Sequence, residues 1–98
     1  MNNIIDRVTK MENILEELTM VVEKSDKALN ELLESLKNLK TLKKYYESQY
    51  MKDVMADKRN EIPHDLKRGV LSEDAVHTLL TDLFELSNKM DKLSKKIR

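Results

Sequence analysis

The chain has 98 residues, 40 % of them hydrophobic and 37 % charged, with one glycine, one proline and no cysteine. That length allows a single domain. The high charge and near-absence of glycine favour long helices over sheet or disorder, and the missing thiols exclude a disulfide framework, a cysteine nucleophile and a cysteine-based metal site.

Eighteen basic residues balance eighteen acidic ones, so no net charge draws the chain toward nucleic acid or an acidic membrane. No run of about 18 apolar residues occurs, and the N-terminus lacks the charged-then-apolar layout of a signal peptide. The expectation is a cytoplasmic protein with no membrane span. Charge is unevenly distributed, however. Residues 1–34 carry four Lys/Arg against eight Asp/Glu, and residues 37–59 carry seven against three. The last ten residues set Lys89, Lys92, Lys95, Lys96 and Arg98 around Asp91.

From Ile4, apolar residues recur four and three apart: Ile4, Val8, Met11, Leu15, Leu18, Val22, then Leu29, Leu32, Leu36 and Leu39, with Ser25 the single break. This is a heptad seam, and it predicts a helix over about 3–44. Ile5, Ile14, Val21, Ala28, Leu33 and Leu42 widen the stripe beyond the two positions per heptad that a two-stranded coiled coil needs. A wide stripe points to a bundle of three or more helices.

A middle segment follows, in which Tyr45, Tyr46 and Tyr50 fall within six residues. Tyr46, Tyr50, Val54 and Asp57 share a helical face, which predicts a short helix over about 47–59 and a change of chain direction near Glu47 or Ser48. Residues 60–71 then hold the only proline, Pro63, and the only glycine, Gly69. Pro63 disfavours helix at Ile62, and Gly69 is expected to supply a positive φ at an elbow. Ser72 is the natural N-cap of a last helix over about 73–97, with Glu73 and Asp74 at the positive end of its dipole. Leu71 and Val76 stand where a hydrophobic staple would cross that cap. Val76, Leu79, Leu83, Leu86, Met90, Leu93 and Ile97 then repeat the seam.

The fold expected is therefore all-α: one domain over 1–98, an antiparallel helical hairpin or coiled coil with a short middle helix. Antiparallel pairing sets the basic end of the last helix beside Glu12, Glu16, Glu17 and Glu23, whereas parallel pairing sets like charges together. Exposed pairs contribute only ~0.2–1 kcal/mol each, but many of them select an orientation. Because the last helix is too short to cover the first, two hairpins are expected to form a homodimeric bundle, burying Ile14, Val21, Ala28 and Leu33 between copies.

Two phrases are distinctive: Tyr45-Tyr46-x-Ser48 followed by Tyr50 and Asp53, and Pro63-His64-Asp65-Leu66-Lys67-Arg68-Gly69-Val70-Leu71-Ser72-Glu73-Asp74. Together they resemble a family of short bacterial proteins, domain of unknown function 4298, over essentially the whole chain. The resemblance implies a bacterial, intracellular protein, with tryptophan at the Tyr50 position in many relatives. It implies no activity.

No residue pattern calls for an enzyme, a cofactor or a small-molecule substrate. His77 with Glu73, and His64 with Glu61 or Asp65, lack a convincing third metal ligand. Ser72 has no positioned base, His77 lying five residues on at another azimuth. Lys67 and Arg68 beside a helix N-terminus could attract an anion, but Glu73 and Asp74 already occupy that end. The leading expectation is a non-enzymatic module binding another protein through Tyr45, Tyr46, Tyr50, Met51, Asp53, Lys67 and Arg68, with Pro63, Gly69, Leu71, Ser72 and Val76 as structural elbow. Tyrosine suits interfaces by joining area to a polar tip, and methionine by adapting. The alternative is nucleic-acid binding by segment 37–59, with Lys40, Lys43, Lys44, Lys52, Lys58 and Arg59 on phosphates and tyrosines stacking on bases.

Overall fold

The computed structural model describes residues 2–72 and 74–98, and over these it is all-α, with no strand. Three helices follow in order: α1, Asn2–Ser48; α2, Tyr50–Lys58; and α3, Ala75–Ile97. A single 3₁₀ turn, Gly69–Leu71, precedes α3. The chain resolves into two compact units, Met1–Thr41 and Leu42–Arg98.

The described residues of the first unit, 2–41, all lie within α1. No glycine or proline occurs before residue 63, so nothing in the backbone stops a helix that propagates one hydrogen bond per residue. Hydroxyl residues, which could compete with the ladder, are instead absorbed by it. Thr19, Ser25, Ser35, Thr41 and Ser48 each donate to the carbonyl four residues earlier, at 2.6–3.1 Å. Ser25 thus breaks the seam without leaving an unsatisfied donor, bonding Val21 O at 2.8 Å. Helix α1 runs four residues beyond the expected end, through both Tyr45 and Tyr46.

The second unit carries the short elements. Its helix junction is slight: Gln49 keeps helical angles (φ −92°, ψ −19°), with Gln49 N–H donating to Tyr45 O at 3.0 Å and Asp53 N–H to Gln49 O at 3.2 Å. Helix α2 ends at a sharper feature. Asn60 is the one described non-glycine residue with positive φ, 59°. Around it Glu61 N–H donates to Ala56 O at 3.1 Å and Asn60 N–H to Asp57 O at 3.0 Å. These are the 6→1 and 5→2 bonds of a Schellman cap, with Asn60 as the left-handed residue. Arg59 and Glu61 close over it as an exposed ion pair at 2.8 Å.

Gly69 corrects an expectation. It has no positive φ, sits at the start of the 3₁₀ turn, and a Cβ there would meet nothing within 4 Å. The left-handed step in the elbow falls nine residues earlier, on Asn60. Pro63 begins a turn that Leu66 N–H closes onto Pro63 O at 3.2 Å. Bonds from Leu71 N–H to Arg68 O (2.9 Å) and Ser72 N–H to Gly69 O (3.1 Å) then wind the 3₁₀ turn, which packs on both α2 and α3.

Ser72 is extended (φ −68°, ψ 146°) and ends the 3₁₀ turn, while the N-cap residue of α3 is Asp74, whose side chain makes no cap bond. Ser72 Oγ accepts from Ala75 N–H at 3.3 Å and donates to Gly69 O at 2.8 Å, so one hydroxyl joins the 3₁₀ turn to α3. Glu73, expected to open that helix, lies outside the described residues. Val76, four residues past Ser72, is buried at 3 % exposure, and Leu71, just before Ser72, is half-buried.

Candidate functional site

The two distinctive phrases meet in space, and tyrosines make the junction. Tyr50, the first residue of α2, is buried at 7 % exposure. Its hydroxyl donates toward Ser72 O at 3.3 Å and Leu71 O at 3.4 Å, tying α2 to the backbone that enters α3. Two rings from the end of α1 close on it. Tyr46, one helical turn earlier, packs at 4.7 Å between centroids with a 41° tilt. Tyr45 meets it edge-on at 6.4 Å and 87°, a geometry favoured by the ring quadrupole.

Beside this aromatic centre Tyr45, Gln49 and Asp53 are paired with one another. Tyr45 Oη donates to Asp53 Oδ2 at 2.7 Å, and Gln49 Nε2 donates to the other carboxylate oxygen at 3.3 Å. The hydrogen bond to the Asp53 carboxylate, aided by desolvation and by that negative charge, pushes the Tyr45 phenol up to about 12. This stabilises its neutral form and opposes any role as a phenolate. Asp57 on α2 and Arg68 before the 3₁₀ turn form a short, half-buried ion pair at 2.5 Å. It spans eleven residues and is the second strut of the elbow.

Of the residues expected to bind a partner, Tyr45, Tyr50 and Asp53 come together here with their polar groups engaged inside the chain, Tyr46 joins them through its ring, and Arg68 is paired with Asp57. Met51 and Lys67 are exposed. The elbow residues Leu71 and Ser72 join the same centre through their carbonyls, Val76 is buried at the start of α3, and Pro63 shapes the loop leading to the elbow. Sequence reasoning did not find Asn60 or the Asp57–Arg68 pair. A signal for Asn60 existed: asparagine tolerates the left-handed region, and a proline follows shortly after, as it often does beyond a helix C-cap. The ion pair had none, because its partners share no helical spacing.

Among the described residues, no three His, Asp or Glu side chains gather to hold a metal, and no helix is long and apolar enough to cross a membrane. His64 and His77 are both exposed. The hollow along Glu31, Leu33, Glu34, Ser35, Lys37 and Asn38 is an open strip on the face of α1, with no enclosed chemistry.

Searches of curated proteins and of solved structures gave no match. A family model does match, over residues 8–93, and so takes in the seam of α1, the tyrosine centre, the elbow and nearly all of α3. By that match the chain belongs to the family described as domain of unknown function (DUF4298).

Proposed function

We propose that the chain is a non-enzymatic protein–protein interaction module, a small helical adaptor or inhibitor of the bacterial cytoplasm, whose main binding surface is the apolar stripe of α1. The observation that carries this reading is exposure. Ile4, Val8, Met11, Leu15, Leu18, Val22, Leu29 and Leu36 stand 45–64 % exposed, on a helix whose own unit contains nothing else. Contiguous exposed apolar surface on that scale marks an interaction site. Burying each of those side chains against a partner would contribute up to about 1.5–3 kcal/mol, less what is already covered.

The tyrosine centre takes the supporting part. Its rings pack on one another and the Tyr45 and Tyr50 hydroxyls bond to Asp53 and to the Leu71 and Ser72 carbonyls, so it frames the elbow, with Met51 and Lys67 exposed nearby in sequence. The same geometry weakens the nucleic-acid alternative. Lys40, Lys43 and Lys44 are exposed and could meet phosphates, but the rings that would stack on bases are packed together.

The test uses the tagged full chain as bait in lysate of the source organism. A protein retained stoichiometrically by the wild type, and lost on Leu15→Lys with Val22→Lys, is the expected result. Salt-sensitive, submicromolar retention of DNA or RNA that is lost on Lys43→Glu with Lys44→Glu would replace this reading with the nucleic-acid one.

A further inference from the structure

We infer that the occupant of the α1 stripe is a second copy of this chain, lying antiparallel along it; the inference rests on the interaction-module reading and names its partner. Length comes first. At about 1.5 Å per residue, the 47 residues of α1 reach roughly 70 Å and the 23 of α3 roughly 35 Å. Wherever α3 of the same chain lies, it can cover no more than about half of the stripe. Only α1 itself has the length to match α1.

Charge sets the partner and its direction. The first half of α1 bears Glu12, Glu16, Glu17 and Glu23, and its last turns bear Lys37, Lys40, Lys43 and Lys44. Parallel copies would face acid with acid and base with base. Antiparallel copies, shifted by a few residues from end-to-end so that Arg7 and Lys10 clear Lys40 and Lys43, place Glu12, Glu16 and Glu17 of each beside Lys37–Lys44 of the other. A foreign helix would need this same gradient in reverse, and the chain already carries it.

The seam is also prepared for burial. Its one polar residue, Ser25, spends its hydroxyl on Val21 O, so covering it strands no donor. Area is sufficient. Roughly a dozen apolar side chains, each still exposing about 50 Å², give about 600 Å² per copy. The methylene stems of flanking lysines and glutamates raise this toward the ~800 Å² per partner of a stable interface.

Sedimentation equilibrium of the full chain at tens of micromolar should return twice the 11.5 kDa chain mass. Orientation is read with a spin label on Asn13→Cys, an unambiguous site because the chain has no cysteine. Antiparallel copies in the register that sets Glu12, Glu16 and Glu17 beside Lys37–Lys44 place the two labels roughly 40 Å apart along the helix, and parallel copies roughly 20 Å apart across it. Leu15→Lys with Val22→Lys should give a monomer with the near-ultraviolet signal of the tyrosine centre unchanged. Because that variant loads the helix with charge, a second pair guards the test. Reversing Glu12, Glu16 and Glu17 to Lys should weaken association at least tenfold, and adding Lys40→Glu, Lys43→Glu and Lys44→Glu should restore it. A short label distance, or no rescue by the compensating reversal, overturns the antiparallel pairing. A strict monomer at high concentration whose bait still captures another protein through the stripe overturns the second copy and leaves the module reading intact. A monomer whose stripe captures nothing overturns both.

Discussion

Removing the Tyr50 ring should dismantle the elbow, whereas removing only its hydroxyl should loosen it. The ring is one of two buried side chains among the described residues, and two further aromatic rings rest against it. Truncating a buried aromatic to alanine costs about 3–5 kcal/mol, and each lost ring pair adds about 0.5–1.5 kcal/mol in well-packed cores. This centre is small and can partly collapse around the gap, so the lower end applies: about 3 kcal/mol for Tyr50→Ala. The hydroxyl is worth less. Its bonds to Ser72 O and Leu71 O are long, at 3.3 and 3.4 Å, and share one proton, so Tyr50→Phe should cost about 0.5–1 kcal/mol. Urea unfolding should be followed in the near ultraviolet, where the tyrosines report the elbow, alongside the far-ultraviolet helix signal dominated by α1. The expected result is a near-ultraviolet transition shifted slightly by Phe and abolished or shifted severely by Ala. Equal damage from Phe and Ala would refute the reasoning, since the ring would then contribute nothing. A Tyr50→Ala protein unfolding like wild type would refute it more completely.

The backbone assignments predict opposite outcomes at two positions. Asn60→Gly should be neutral or slightly stabilising and Asn60→Val should cost about 1–2 kcal/mol, because only the former relieves the left-handed residue. Gly69→Ala should stabilise by about 0.4–1 kcal/mol, since the position needs no positive φ and a Cβ has room; a loss in thermal melts would show the turn to be tighter than described. Ser72→Ala should cost about 0.5–2 kcal/mol in the same melts through loss of the bond to the first amide of α3, and partner binding should fall only as far as stability does. The Tyr45 phenol is raised to about 12 from an ordinary value near 10, so the folded state favours the neutral form. Its contribution is therefore fully present below about pH 10 and lost as pH rises through about 12. The measurement is the difference between wild type and Tyr45→Phe: the gap in stability should close over that window, and a constant gap would contradict the hydrogen bond to Asp53.

Much of this protein is local physics, and that much could be read from residue order alone. Apolar residues four and three apart, with no glycine or proline for sixty residues, leave α1 no alternative to a helix, and the same spacing produces α3. The bond from the Ser72 hydroxyl to the first amide of α3 was legible because it needs only a hydroxyl and the amide three residues on, although the N-cap position itself falls on Asp74. The seam's overhang was legible too, since helix length follows from residue count. The elbow was not. Gly69 looked like the left-handed residue because glycine tolerates that region at least cost, yet tolerance is not requirement, and the Schellman bonds at the end of α2 assign the step to Asn60. Nor could residue order show whether Tyr45, Tyr46 and Tyr50 face solvent or one another. That depended on the chain folding back so that carbonyls of Leu71 and Ser72, more than twenty residues on, reach the Tyr50 hydroxyl, and Arg68 reaches Asp57. Such contacts obey no helical period. They exist only once the loop from Asn60 to Arg68 has closed, and that closure builds the frame that holds α2 and α3 together.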